Sequence, residues 1–153
     1  MKSGLDKAAP AFALKDLNGA TVSSKDFRGK VFVLSFWATS SGQCKAALPQ
    51  LQKVFEAYQY YKNVSFLAIN TNERANGPSR ETLVKKFMTD TKCTIPVAFD
   101  EGSSTSDKYE IEGIPITYVI DREGKIRFKT VGFSAGAEFV DDLTQQIAVL
   151  IKH

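Results

Sequence analysis

The stretch SFWATSSGQCKAALPQL, Ser35–Leu51, decides the fold of this chain. It leaves a β-prone run, passes through small residues and enters an amphipathic segment at Cys44. From there Ala47, Leu48, Leu51, Val54, Phe55 and Tyr58 recur at three- and four-residue spacing, which predicts a long helix with one buried face. Pro49 falls inside that helix and is expected to kink it after its first turn. Upstream, VFVLSFW (Val31–Trp37) is β-prone throughout, as suits a strand buried on both faces. Downstream, VSFLAIN (Val64–Asn70) is a second such run, so the three segments together make a βαβ unit with parallel strands.

Other elements extend this core in both directions. FALKDLNGATVSS carries Asn18-Gly19 between two short strand-like pieces, a hairpin signal. NERANGPSR is a polar loop, and Leu83, Val84, Phe87 and Met88 mark a helix after it. IPVAFD reads as a short extended piece, followed by a polar stretch with a helical turn up to Tyr109. ITYVID and KIRFKTV flank REG as a second hairpin, with Ile126 and Phe128 alternating with Arg127 and Lys129. Val140, Leu143, Ile147 and Leu150 give a closing helix its buried stripe. The sum is an α/β protein: a three-layer α/β/α sandwich on a mixed central sheet, with an N-terminal hairpin and a helix-containing insertion after the βαβ unit.

The 153 residues suit a single domain, 1–153, large enough to bury a core without disulfide staples. Apolar residues make up 43% and charged residues 24%, ordinary values for a globular protein. The net charge of +3 comes from scattered basic residues. The one basic doublet, Lys85-Lys86, follows Glu81 by about a helical turn and reads as a solvated helix face, so no nucleic-acid partner is expected. Two cysteines and a single histidine, His153, leave no ordinary zinc cluster and no internal Cys-His or Ser-His pair. No metal or other cofactor is expected. No apolar run reaches membrane-spanning length, and no secretory h-region precedes LDKAAPAF.

The chain resembles the thioredoxin-fold thiol-disulfide oxidoreductases of the TlpA/redoxin type, related to the alkyl-hydroperoxide-reductase/peroxiredoxin (AhpC/TSA) group. APAFALKDLNGATVSSKDFRGKVFVLSFWAT looks like that family's opening segment, CKAALPQL like its active-site helix, and YEIEGIPITYVIDREGKI like its cis-proline strand and hairpin. The family hallmark is Trp-Cys-x-Pro-Cys, commonly with a glutamate three residues after the second cysteine. Here Ser40 stands for the tryptophan, Ser41 for the first cysteine, Gln43 for the proline and Ala47 for the glutamate. Only Cys44 matches. Four clustered departures speak for natural divergence rather than one engineered Cys→Ser change. Similar proteins often work outside the cytoplasm, so the resemblance favours a periplasmic or otherwise extracytoplasmic location.

In the family the first cysteine is the nucleophile and the second its resolver. Without the first, a reversible dithiol–disulfide cycle is impossible, since a disulfide needs two sulfurs. Ser41 reads first as an N-cap whose hydroxyl accepts from the N–H of Cys44. Cys44 is pulled two ways: a place in the first helical turn favours the thiolate, whereas burial of the family's second cysteine raises its pKa. Phe36 and Trp37 read as core aromatics at a strand end, and the resemblance also puts Trp37 beside the active-site loop. In Gly113-Ile114-Pro115 the resemblance implies a cis Ile114–Pro115 bond facing the cysteine and a backbone edge that receives an extended peptide.

Three functions compete. The leading one is a divergent oxidoreductase acting on protein or small-molecule thiols and disulfides through Cys44 alone, as part of redox homeostasis. A thiol peroxidase would use Ser41 and Cys44 as half of a peroxiredoxin motif, with Arg127 the available late-strand arginine and Trp37 in place of the motif's proline. A redox-inactive module would keep the peptide groove and lose the chemistry. Topology also separates Cys44 from Cys93: they should lie toward opposite poles of the sheet, unbonded.

Overall fold

The computed structural model describes residues 6–73, 79–134 and 136–152. MKSG, most of the NERANGPSR loop and His153 lie outside the described residues. The chain runs β1 (Lys7–Ala8), β2 (Ala13–Asp16), β3 (Thr21–Ser23), a 3-10 turn (Ser24–Phe27), β4 (Val31–Trp37), α1 (Gly42–Tyr58) and β5 (Val64–Asn70). It continues through α2 (Arg80–Thr91), β6 (Val97–Phe99), α3 (Ser104–Lys108), β7 (Ile116–Ile120), β8 (Lys125–Val131) and α4 (Gly136–Ile151).

One eight-stranded mixed sheet has the order β1-β8-β7-β4-β5-β6-β2-β3. β4, β5 and β6 are parallel, while β7 and β8 run antiparallel to β4 and to each other. The expected N-terminal hairpin is β2–β3, docked on the β6 edge. Its turn is tied by Asp16, whose Oδ1 accepts from Asn18 N at 2.8 Å and Ala20 N at 3.0 Å, while Gly19 supplies a positive φ of 83°.

Every residue of β4 is buried, and its two faces feed two cores. Val31, Val33 and Trp37 pack with α1, α2 and α4. Phe32, Leu34 and Phe36 pack with Phe12, Leu14, Tyr109 and Tyr118 on the other face. That second layer is thin, built from the N-terminal segment, the 3-10 turn and the end of α3. Period-two alternation on a strand covered from both sides produces this split.

α1 begins at Gly42 and continues through Pro49 to Tyr58. Its buried face includes Gln52, 5% exposed, whose Oε1 accepts from Thr94 N and Ile95 N at 2.9 and 3.0 Å. The segment entering β6 is therefore fixed two helical turns beyond Cys44, about 12 Å along the axis. Cys93 precedes that segment, so the two cysteines occupy separate ends of the core, and both are free. In α4 the stripe runs through Phe139, Leu143, Ile147 and Leu150, with Val140 half-buried. Phe133 meets the Phe139 ring at 5.2 Å, which draws Phe139 rather than Val140 to the seam.

Candidate active site around Cys44

Ser41 is the N-cap of α1, in extended conformation (φ −105°, ψ 123°), and its Oγ accepts from Cys44 N at 3.3 Å. A β-region backbone with a short hydroxyl satisfies one of the four orphan donors of the helix start. Cys44 follows in the first turn with no exposed surface. Burial pushes its thiol above the ordinary range; bonds from the Ser41 side chain and the Ala38 backbone pull it down, and Glu73 adds a repulsion that raises it. Burial outweighs those two bonds, so the sulfur is shielded and its pKa stands above the ordinary value.

The Ile114–Pro115 peptide is cis. Pro115, Trp37, Ser35 and Cys44 line one small void of about 10 Å³, closed by Ala47, Leu48, Leu51 and Phe139. The chain thus brings together Ser41, Cys44, Trp37 and Pro115 from three elements. Gly113 stands exposed at the rim, and Ile114 is half-buried between the two cores. Trp37 is 1% exposed, with its ring 5.6 Å from that of Phe87, so it floors the site from within. Beneath Pro115, Ser35 Oγ and Thr117 Oγ1 pair at 3.0 Å across β4 and β7.

Sequence reasoning missed Glu73. Its Oε1 accepts from Thr39 N and Asn70 Nδ2, both at 2.8 Å, and its Oε2 bonds the Thr39 hydroxyl. A carboxylate just past β5 therefore braces the loop that leads to Ser41. The available signal was position: ligand-facing residues in α/β sheets gather beyond the carboxyl ends of strands. Arg127 lies elsewhere, near the β7–β8 turn, paired with Asp6 at 3.0 Å and Asp121 at 3.4 Å.

A βαβ core joined to an antiparallel hairpin, with the helix-opening cysteine and a cis proline lining one void, is the arrangement of the thioredoxin-fold thiol-disulfide oxidoreductase family. The model of the AhpC/TSA family matches residues 5–129, and the chain belongs to that family. The thiol-disulfide oxidoreductase ResA of Bacillus cereus is 30% identical over 131 residues, covering 86% of this chain and 72% of that one. The ResA of Oceanobacillus iheyensis is 33% identical over 123 residues, 78% of this chain and 60% of the relative. Among solved structures, a Chlorobium tepidum protein assigned as a thiol:disulfide interchange protein of the DsbE type superposes with a TM-score of 0.81. The two are 30% identical, and the match covers 97% of this chain and 98% of that one.

Proposed function

We propose that the chain is a single-domain oxidoreductase that works through one sulfur, Cys44, on protein or small-molecule thiols and disulfides, with no nucleic-acid partner. In this reading the Cys44 thiolate attacks one sulfur of a substrate disulfide. A mixed disulfide forms, and the second substrate sulfur leaves as a thiolate that takes up a proton. No thiol stands at position 41 to attack Cys44 in turn, so an external thiol must resolve the adduct. That thiol's sulfur ends bonded to the departing substrate sulfur, and Cys44 returns reduced. The observation that carries the reading is the Ser41 Oγ bond to Cys44 N, a hydroxyl in the place of the partner sulfur. Ser41 caps the helix and steadies the thiolate, the backbone of Gly113–Pro115 receives the substrate chain, and Trp37 supports the site from below.

The test is intact-mass analysis after incubation with oxidised glutathione. One glutathione adduct is expected at Cys44; it should be absent in Cys44→Ala and released by added thiol. A second reading, a redox-inactive peptide-binding module, is favoured by one observation, the complete burial of Cys44. It predicts no adduct at any pH at which the fold persists.

A further inference from the structure

Cys44 has no exposed surface, although it opens a helix at the rim of the sheet. Its cover includes Pro115 and Phe139, and both of these touch the turn that follows β8, which is held at two points. Gly132 N donates to the Pro115 carbonyl at 2.8 Å, and Phe133 N donates to Gln43 Oε1 at 3.1 Å. The Phe133 ring packs edge-on against Phe139, and Phe139 lines the void at Cys44. The contact with Gln43 is shaped on both sides. Gly132 has a φ of 76°, and a Cβ there would lie 3.2 Å from Gln43 Oε1, so a bare backbone lets the carboxamide lie on the turn. One α1 heptad further on, Gln50 also approaches a bare backbone, that of Gly136, where a Cβ would meet the side chain at 3.1 Å.

We propose that Gln43 decides which thiol partners reach Cys44: its carboxamide latches the Gly132–Phe133 turn against the start of α1, and the latch must open before the sulfur meets a partner. A proline at this position, as in the family pattern, has no side-chain acceptor and could not make the contact. Gln43 is exposed and its tie is one neutral hydrogen bond, so opening is a local event rather than unfolding. Small reagents need a brief opening, and bulky ones need the turn displaced. The proposal rests on Cys44 as the working thiol but is tested through access alone.

The experiment compares the alkylation of Cys44 and Cys93 by iodoacetamide and by a bulky maleimide, followed by peptide mass spectrometry across pH. Hydrogen exchange at the Phe133 amide is read in parallel. Gln43→Ala should expose that amide and raise the plateau alkylation rate of Cys44 roughly two- to tenfold, the range expected for one lost hydrogen bond. The gain should be larger for the maleimide. Cys93, buried at the other end of the core, should not change, and Gln43→Glu, which keeps an acceptor, should restore the slow rate. Equal acceleration of both cysteines, or no change at Cys44 with the Phe133 amide freed, overturns the latch. Neither outcome bears on glutathione adduct formation by the unsubstituted protein.

Discussion

The hydroxyl of Ser41 accepts the Cys44 backbone N–H at 3.3 Å, and the same hydroxyl is among the groups that draw the Cys44 thiol downward against its burial. One oxygen thus serves both the helix and the sulfur. Ser41→Ala should cost about 1 kcal/mol in urea unfolding, the usual worth of an N-cap. It should also move the pH midpoint of Cys44 alkylation further up, because the group that lowers it is gone. A midpoint that stays in place while stability falls would separate the cap from any hold on the thiol.

Glu73 acts on Cys44 in the opposite sense. Its carboxylate repels a thiolate and raises the thiol, while Thr39 and Asn70 keep it in place. Glu73→Gln retains an acceptor for Thr39 N and removes the charge. The alkylation midpoint of Cys44 should therefore move down, with Cys93 unmoved. An upward shift would show that the carboxylate works through loop geometry rather than charge.

Asp100, 1% exposed, anchors the other side of the carboxyl rim. Its oxygens accept from Thr105 N at 2.8 Å, Thr71 Oγ1 at 3.0 Å and Ser106 N at 3.1 Å. Burial pushes this carboxyl up, but those bonds outweigh it and leave the group below the usual carboxylate range. Folding thus lowers the pKa. The stabilisation is present above the unfolded-state value of ~3.9 and is lost as pH falls through the folded value. Asp100→Asn should cost about 1–3 kcal/mol at neutral pH. Chemical denaturation from pH 7 down to pH 2 should show the gap to the unsubstituted protein closing at the acid end.

What the sequence made legible was what is local. The cap at Ser41, the βαβ unit and both hairpins follow from spacing and turn chemistry within a few residues, and each stands where expected. The cis bond at Pro115 came from family likeness, since nothing in Gly113-Ile114-Pro115 alone distinguishes it from a trans turn. Glu73 was illegible because its partner Thr39 is 34 positions away and polar loop residues carry no period. Gln52 hid in a helical pattern that scores polar residues as solvent-facing, although it bonds the backbone 42 and 43 positions on. The balance at Cys44 could not be read either. Helix position argued down and burial up, and only the packing of Trp37, Leu48 and Phe139 around the sulfur decides for burial.

Ser41→Cys puts back the sulfur that the family pattern has at this position, and it should turn a stoichiometric site into a weakly catalytic one. As it stands, the chain should fail at multiple-turnover reduction of insulin disulfides, because any adduct on Cys44 waits for an outside thiol. Position 41 is half-exposed at the head of α1, whereas Cys44 is fully buried in the first turn behind it. A thiol at 41 would be the accessible nucleophile at a helix N-terminus, where a thiolate is favoured, and Cys44 would resolve it from behind. Pro115 already lines the void at Cys44, so the cis-proline side of the site needs no rebuilding. Activity should stay modest, because Ala47 offers no carboxylate on the resolver's helix and the substitution forfeits the Ser41 cap. The assay sets the unsubstituted chain, Ser41→Cys and the double variant Ser41→Cys/Cys44→Ala side by side. Turnover is expected only for Ser41→Cys, and the double variant should accumulate a trapped mixed disulfide. Robust turnover by the unsubstituted chain, or a folded Ser41→Cys with none, would show that positions 41 and 44 do not form the redox pair that the fold implies.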